Sequence, residues 1–164
     1  ILEKCPRVNL TIMSTYNALS VPNYEKLLYG LYDLKKQYGG SDRYWNSAIF
    51  LDSSYLRYPQ HQTVQILPKK WDKEILKQAQ VADFLGVPKF DHKYIGYSDI
   101  EIQKIKRIYD WKVTNWMDKE KHVKNYQYNF YRFVTEHDKR RGTNFIETFP
   151  ELESFYNKCS RITL

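Results

Sequence analysis

The sequence predicts an α/β fold, with a partial, mostly parallel sheet over residues 1–87 and a helical extension over residues 88–164. Three observations predict it. Strand-like and helix-like patterns alternate through the first half, as they do where helices cover a parallel sheet. The second half carries helical periodicity alone, and clear helix-start signals divide it into separate helices. The strands are too few for a complete eight-fold βα barrel.

VNLTIMSTY (8–16) alternates apolar and polar residues, with Val8, Leu10 and Ile12 on one side, as a half-buried strand does. Ser20-Val21-Pro22 supplies a capping hydroxyl and a proline for a first helical turn. Leu27, Leu28, Leu31 and Leu34 share one face of the following helix, and Tyr38-Gly39-Gly40 stops it. SAIFLD (47–52) reads as a short buried strand, SSYLRYPQ (53–60) as a loop and TVQIL (63–67) as a further strand. Pro68 then opens a helix carrying Trp71, Ile75, Ala79 and Ala82, which Gly86-Val87-Pro88 ends.

PKFDHKYIGY (88–97) is an irregular connector. Ser98 and Glu101 have the spacing of a capping box, and Ile102, Ile105, Tyr109 and Trp116 lie along the helix it opens. Asp118 caps a third long helix with the stripe Val123, Tyr126, Phe130, Phe133, Val134 and His137. Lys139, Arg140 and Arg141 meet the negative end of that helix, and Gly142 terminates it in a left-handed turn. Asn144 and Glu147 are spaced to cap a turn. Thr148 and Glu151 are spaced to cap a last helix through Leu152, Phe155 and Tyr156 to Cys159.

The 164 residues are 42% hydrophobic, with 15 Tyr and 4 Trp, which is enough for one domain with a real core and unlike a disordered chain. Apolar runs fall far short of the roughly 20 residues of a membrane span, and no charged-then-apolar signal segment opens the sequence. Cys5 and Cys159 make no disulfide framework and suit reduced thiols in a cytoplasmic protein. Neither has a C-x2-C neighbour, so the pair alone builds no zinc or iron–sulfur site. The net charge of +7 fits an anionic or nucleic-acid partner. The sequence opens at Ile1 rather than Met and enters a strand pattern within a few residues, which suggests a piece of a longer protein.

Asp52 and the run Tyr55-Leu56-Arg57-Tyr58-Pro59 follow a predicted strand end, the edge where α/β sheets bind ligands. Arg57 offers a fork for a carboxylate or phosphate and the tyrosines offer faces for a base. A solvated connection over the sheet edge would use the same residues. Asn17 follows the first strand and can face the same rim, or simply make the turn. His137 alone of the four histidines lies on the apolar stripe, where a core or interface role competes with catalysis; His61, His92 and His122 fall in loops or polar positions. His137, Asp138, Arg141 and Asn144 can converge at one corner, although helix-end physics accounts for EHDKRRGTNF (136–145) without a ligand. No phosphate loop, nucleophile elbow or paired-carboxylate pattern names a reaction.

EHDKRRGTNFIETFPELESFY (136–156) resembles the C-terminal signature of radical S-adenosylmethionine (radical SAM) proteins with a shortened auxiliary twitch region. NLTIMSTYNALSVPNYEKLL (9–28) and LDSSYLRYPQHQTVQILP (51–68) resemble, in order, late βα units of the same group. The resemblance implies the last units of a partial (β/α)6 barrel followed by a helical tail. It implies an enzyme in which a [4Fe–4S] cluster held by C-x3-C-x2-C cleaves S-adenosylmethionine, and the resulting radical takes a substrate hydrogen. This sequence lacks that triad. The resemblance therefore implies a substrate-side C-terminal portion that binds no cofactor by itself and works with a cluster-binding N-terminal half. It places Asn17 toward the adenosylmethionine and Asp52, Tyr55 and Arg57 toward the substrate; His137 and Asn144 are the substrate-side candidates within the C-terminal signature. The alternative is a stand-alone basic Tyr/Arg-rich module that binds RNA or a nucleotide, and a helical docking surface is a third reading.

Overall fold

The computed structural model describes residues 1–5, 8–39, 48–87, 95–114 and 120–163. Strand β1 (Leu10–Tyr16) leads through a 3-10 turn at Val21–Asn23 into helix α1 (Tyr24–Tyr38). The chain returns in β2 (Ile49–Tyr55), parallel to β1, with Leu10 opposite Ile49 and Tyr16 opposite Tyr55. Helices α2 (Asp72–Phe84), α3 (Asp99–Val113), α4 (Glu120–Arg141), α5 (Phe145–Thr148) and α6 (Glu153–Cys159) follow. The fold is α/β and mostly helical around a two-stranded parallel sheet.

Several local expectations change. β2 runs three residues beyond its expected end, because Ser53, Ser54 and Tyr55 pair with Ser14, Thr15 and Tyr16. Asp52 and Tyr55 therefore lie within the strand, and only Arg57 lies past it. TVQIL forms no strand: Val64–Ile66 is a 3-10 turn packed against α3 and α4, and Gln127 Nε2 donates to the Ile66 carbonyl at 2.6 Å. Its β-branched residues signalled burial, and a buried turn satisfies that signal as well as a strand does. Gly39 leaves α1 in extended rather than left-handed backbone. Gly40, residues 88–94 with His92, Trp116 and Asp118 lie outside the described residues.

On α4 the buried line is Gln127, Phe130 and Val134, at helical spacing. Phe133 is 43% exposed and the His137 side chain 52% exposed, so the stripe turns away from the histidine that was expected to lie on it. Thr148 caps nothing; its hydroxyl donates to the Asn144 carbonyl, and the 3-10 turn Pro150–Leu152 has no side-chain cap. Ser20 makes no side-chain cap either, its hydroxyl accepting from the Asn17 amide, whereas three end signals form as read. Ser98 and Glu101 make a full capping box, Asn144 Oδ1 accepts from the Ile146 and Glu147 amides, and Gly142 sits at φ +63. One apolar core joins Leu28 and Leu31 of α1, Leu51 of β2, Ile75 of α2, Ile105 of α3, Phe130 of α4 and Phe155 of α6.

The sheet is closed on one side and open on the other. Buried residues Ile49, Leu51 and Ser53 mark its covered face, whereas Thr11, Met13 and Thr15 are exposed, Met13 at 83%. The outer edge of β2 is sealed: Lys35 Nζ donates to the Ile49 carbonyl at 2.7 Å, and the Leu51 amide donates to Glu101 Oε1 at 2.7 Å. Lys35 and Glu101 pair at 2.8 Å, and Glu101 Oε2 also accepts from the Ser98 amide and hydroxyl. Burial lowers the Lys35 pKa, and the Glu101 charge opposes that shift. Among the described residues, the outer edge of β1 has no such cover. The register turns the amides and carbonyls of Thr11 and Met13 away from β2, and they meet no partner among the described residues.

Candidate functional site

The loops that leave β1 and β2 meet at the C-terminal end of the sheet, where the Ala18 amide donates to the Gln62 carbonyl at 2.9 Å. Asn17 starts the first loop. Its Oδ1 accepts from the Leu19 amide at 2.8 Å and its Nδ2 donates weakly to the Thr15 carbonyl, so the side chain builds an Asx turn. Beneath the loops lie buried hydroxyls: Tyr16 donates to Gln78 Oε1, and Tyr24 pairs with Ser53. Burial pushes the Tyr24 hydroxyl up to about 12 and raises that of Tyr16 further. These groups stay protonated near neutrality and hold the sheet to α1 and α2.

Three of the predicted residues fall into two separate arrangements. Asp52 pairs with Lys104 of α3 at 2.7 Å, both partly exposed. Tyr55 instead stacks on Trp111 of α3, with ring centroids 4.9 Å apart and planes at 18°. Arg57 donates to the Tyr55 hydroxyl at 2.9 Å, and its guanidinium lies 5.1 Å from the Tyr55 ring and 5.7 Å from that of Trp111. Sequence reading missed Trp111, which lies 56 positions after Tyr55 and carries no local mark of the contact.

The other candidates gather where α4 ends. Asp138 Oδ1 accepts from the Thr143 hydroxyl and Oδ2 from the Phe145 amide, both at 2.7 Å, so one carboxylate fastens the chain reversal. The His137 ring lies beside Thr143 and Asp138 with its Nδ1 at 3.5 and 3.7 Å from their oxygens. Asn144 is committed to capping α5, and its Nδ2 donates to Glu147. Its neighbours, rather than Asn144 itself, border a cleft of about 360 Å³, formed by Leu19 and Gln62 of the strand-end loops, Phe133, Val134, His137 and Asp138 of α4, and the 143–149 segment. His61, passed over in the sequence, packs its ring 5.2 Å from Phe133, and its buried Nε2 has no partner among the described residues. Burial lowers its pKa.

The described residues offer no group of three His, Cys, Asp or Glu side chains that could hold a metal ion. Cys5 is exposed, while Cys159 is buried with its thiol pushed up to about 12, opposite to what a cluster-ligating thiolate requires. These residues do not fit an iron–sulfur cluster. Among the described residues, no helix is long and apolar enough to cross a membrane. Comparison of the chain with known protein families, curated proteins and solved structures yields no match.

Proposed function

We propose that these residues form the substrate-side, C-terminal portion of a radical SAM enzyme, which depends on a cluster-binding half for its chemistry. The observation that carries this reading is the one-sided sheet. Parallel sheets are normally covered on both faces or closed into barrels, yet here Thr11, Met13 and Thr15 leave one face and one edge bare while Lys35 and Glu101 seal the other edge. Further strands could join only at β1. The bare face would then become the inner wall of a partial barrel, with the strand-end cleft at its mouth. Asn17 stands at that rim, and Asp52, Tyr55, Arg57, His137 and Asn144 are assigned to the substrate side.

Supplying iron and sulfide to the chain alone tests this. The expected result is no [4Fe–4S] absorbance and no cleavage of S-adenosylmethionine. A stable cluster with cleavage activity would overturn the division of labour. A polypeptide that carries these residues without any C-x3-C-x2-C triad, in itself or its partners, would overturn the class.

A second reading, a stand-alone module holding RNA, draws on the Arg57, Tyr55 and Trp111 stack, an arrangement that suits an unpaired base. Titration of labelled RNA at two salt concentrations separates the two readings, since RNA held through phosphates weakens steeply with salt.

A further inference from the structure

The cleft between the strand-end loops and α4 gathers aromatic and hydrogen-bonding groups. Its walls are aromatic, with Phe133 on α4 and Phe145 and Phe149 beyond the reversal, the last two with ring centroids 5.3 Å apart. Gln62 and Asp138 are among the hydrogen-bonding groups that border the same space. The side-chain amide of Gln62 makes no hydrogen bond among the described residues and offers both a donor and an acceptor. The Asp138 carboxylate accepts one bond on each oxygen and retains lone pairs for another donor. Phe133 and His137 also border a shallow groove that continues along α4 to Arg140 and Arg141.

Together the cleft and the groove offer an amide, a carboxylate, aromatic faces and the guanidinium groups of Arg132, Arg140 and Arg141. We propose that this cleft binds a nucleoside monophosphate, its base among the phenylalanines and its phosphate at Arg140 and Arg141. A cleft of about 360 Å³ lies at the lower end of small-molecule sites, which run from roughly 300 to 1,000 Å³, and suits one nucleotide better than a chain of them. Amides and carboxylates read the edge of a base, whereas guanidinium forks match phosphate oxygens. Glu136 engages Arg140 through its Nε at 2.7 Å and offsets part of the positive charge that Arg132, Arg140 and Arg141 bring to the groove. The assignment rests on the reading of this corner as the substrate side and names the substrate class that corner would take.

The test is calorimetric titration of the full chain with adenosine 5′-monophosphate, adenosine and inorganic phosphate, without iron, sulfide or S-adenosylmethionine. The monophosphate is expected to bind about tenfold more tightly than adenosine, equivalent to about 1.4 kcal/mol, and phosphate alone to give no heat. The exposed double variant R140A/R141A is expected to bring the monophosphate down to the adenosine level while leaving adenosine unchanged. Q62M is expected to weaken both. Equal binding of monophosphate and adenosine to the parent chain overturns the proposal, as does no binding of either. A single-stranded RNA hexamer that binds far more tightly than the monophosphate, with a salt slope of several phosphates, overturns it in favour of an extended nucleic-acid surface. Because no cluster is present, a null result here leaves the radical SAM reading standing, and failure of that reading leaves the titration interpretable.

Discussion

Lys35 and Glu101, 66 positions apart and both buried, form an ion pair at 2.8 Å whose remaining bonds close the outer edge of β2. Removing one member strands the other charge away from water, which typically costs about 3–5 kcal/mol. E101A is therefore expected to lower unfolding free energy by that order in urea melts. The paired change K35M/E101Q, which leaves no isolated charge and keeps an acceptor for the Leu51 amide, is expected to cost clearly less. Equal losses in the two variants would mean that the pair serves only as packing.

Tyr24 and Cys159 dictate an alkaline limit. Both are buried, and each folded-state pKa is raised to about 12, from ordinary values of 10.0 and 9.0. A raised folded value means the native state keeps protons that the unfolded chain loses, so this contribution is complete below pH 9 and disappears as pH rises toward 12. Thermal melts across that window should fall steadily for the parent and less steeply for Y24F and C159A. Thiol titration should find Cys5 reactive in the native protein and Cys159 only after unfolding.

The exchange of backbone amides should alternate along β1. Ile12 and Ser14 face β2 in the ladder, whereas Thr11 and Met13 face outward without partners. Hydrogen exchange of the chain alone is expected to be slow at the first pair and fast at the second. Protection at Met13 would mean that the edge is already occupied.

At the chain reversal, D138A removes acceptors from both the Thr143 hydroxyl and the Phe145 amide, and should cost about 1–3 kcal/mol by leaving them unpaired. N144A removes only a cap and should cost about 1 kcal/mol, which N144D restores. Denaturant midpoints of the three variants check both values.

Several signals encoded in neighbouring residues survived the passage from sequence to structure, although those at Ser20, Gly39 and Thr148 did not. Ser98 with Glu101, Asn144 with Glu147, and Gly142 after three cations all do locally what their spacing indicates. Signals that depend on distant partners did not. Glu101 reads as a cap and nothing more, because nothing near it reveals that it also meets Leu51 and Lys35. Lys35 looks like an ordinary surface cation. Along α4, steps of three and four residues allow more than one stripe, and the packing against α5, α6 and the 3-10 turns at 60–62 and 64–66 selects Phe130 and Val134 over Phe133 and His137. For the candidate site, the strand-end location was legible, but the cleft depends on Leu19, Gln62 and Phe149, three residues from three separate segments.

The bond from the Ala18 amide to the Gln62 carbonyl has a mechanical consequence. Leu19 and Gln62, which follow different strands, are bracketed by it into one wall of the cleft, so displacement of either loop strains its link to the other. A load on either would pass to both strands at once, and the wall would yield as a single stiff panel rather than as two loose flaps.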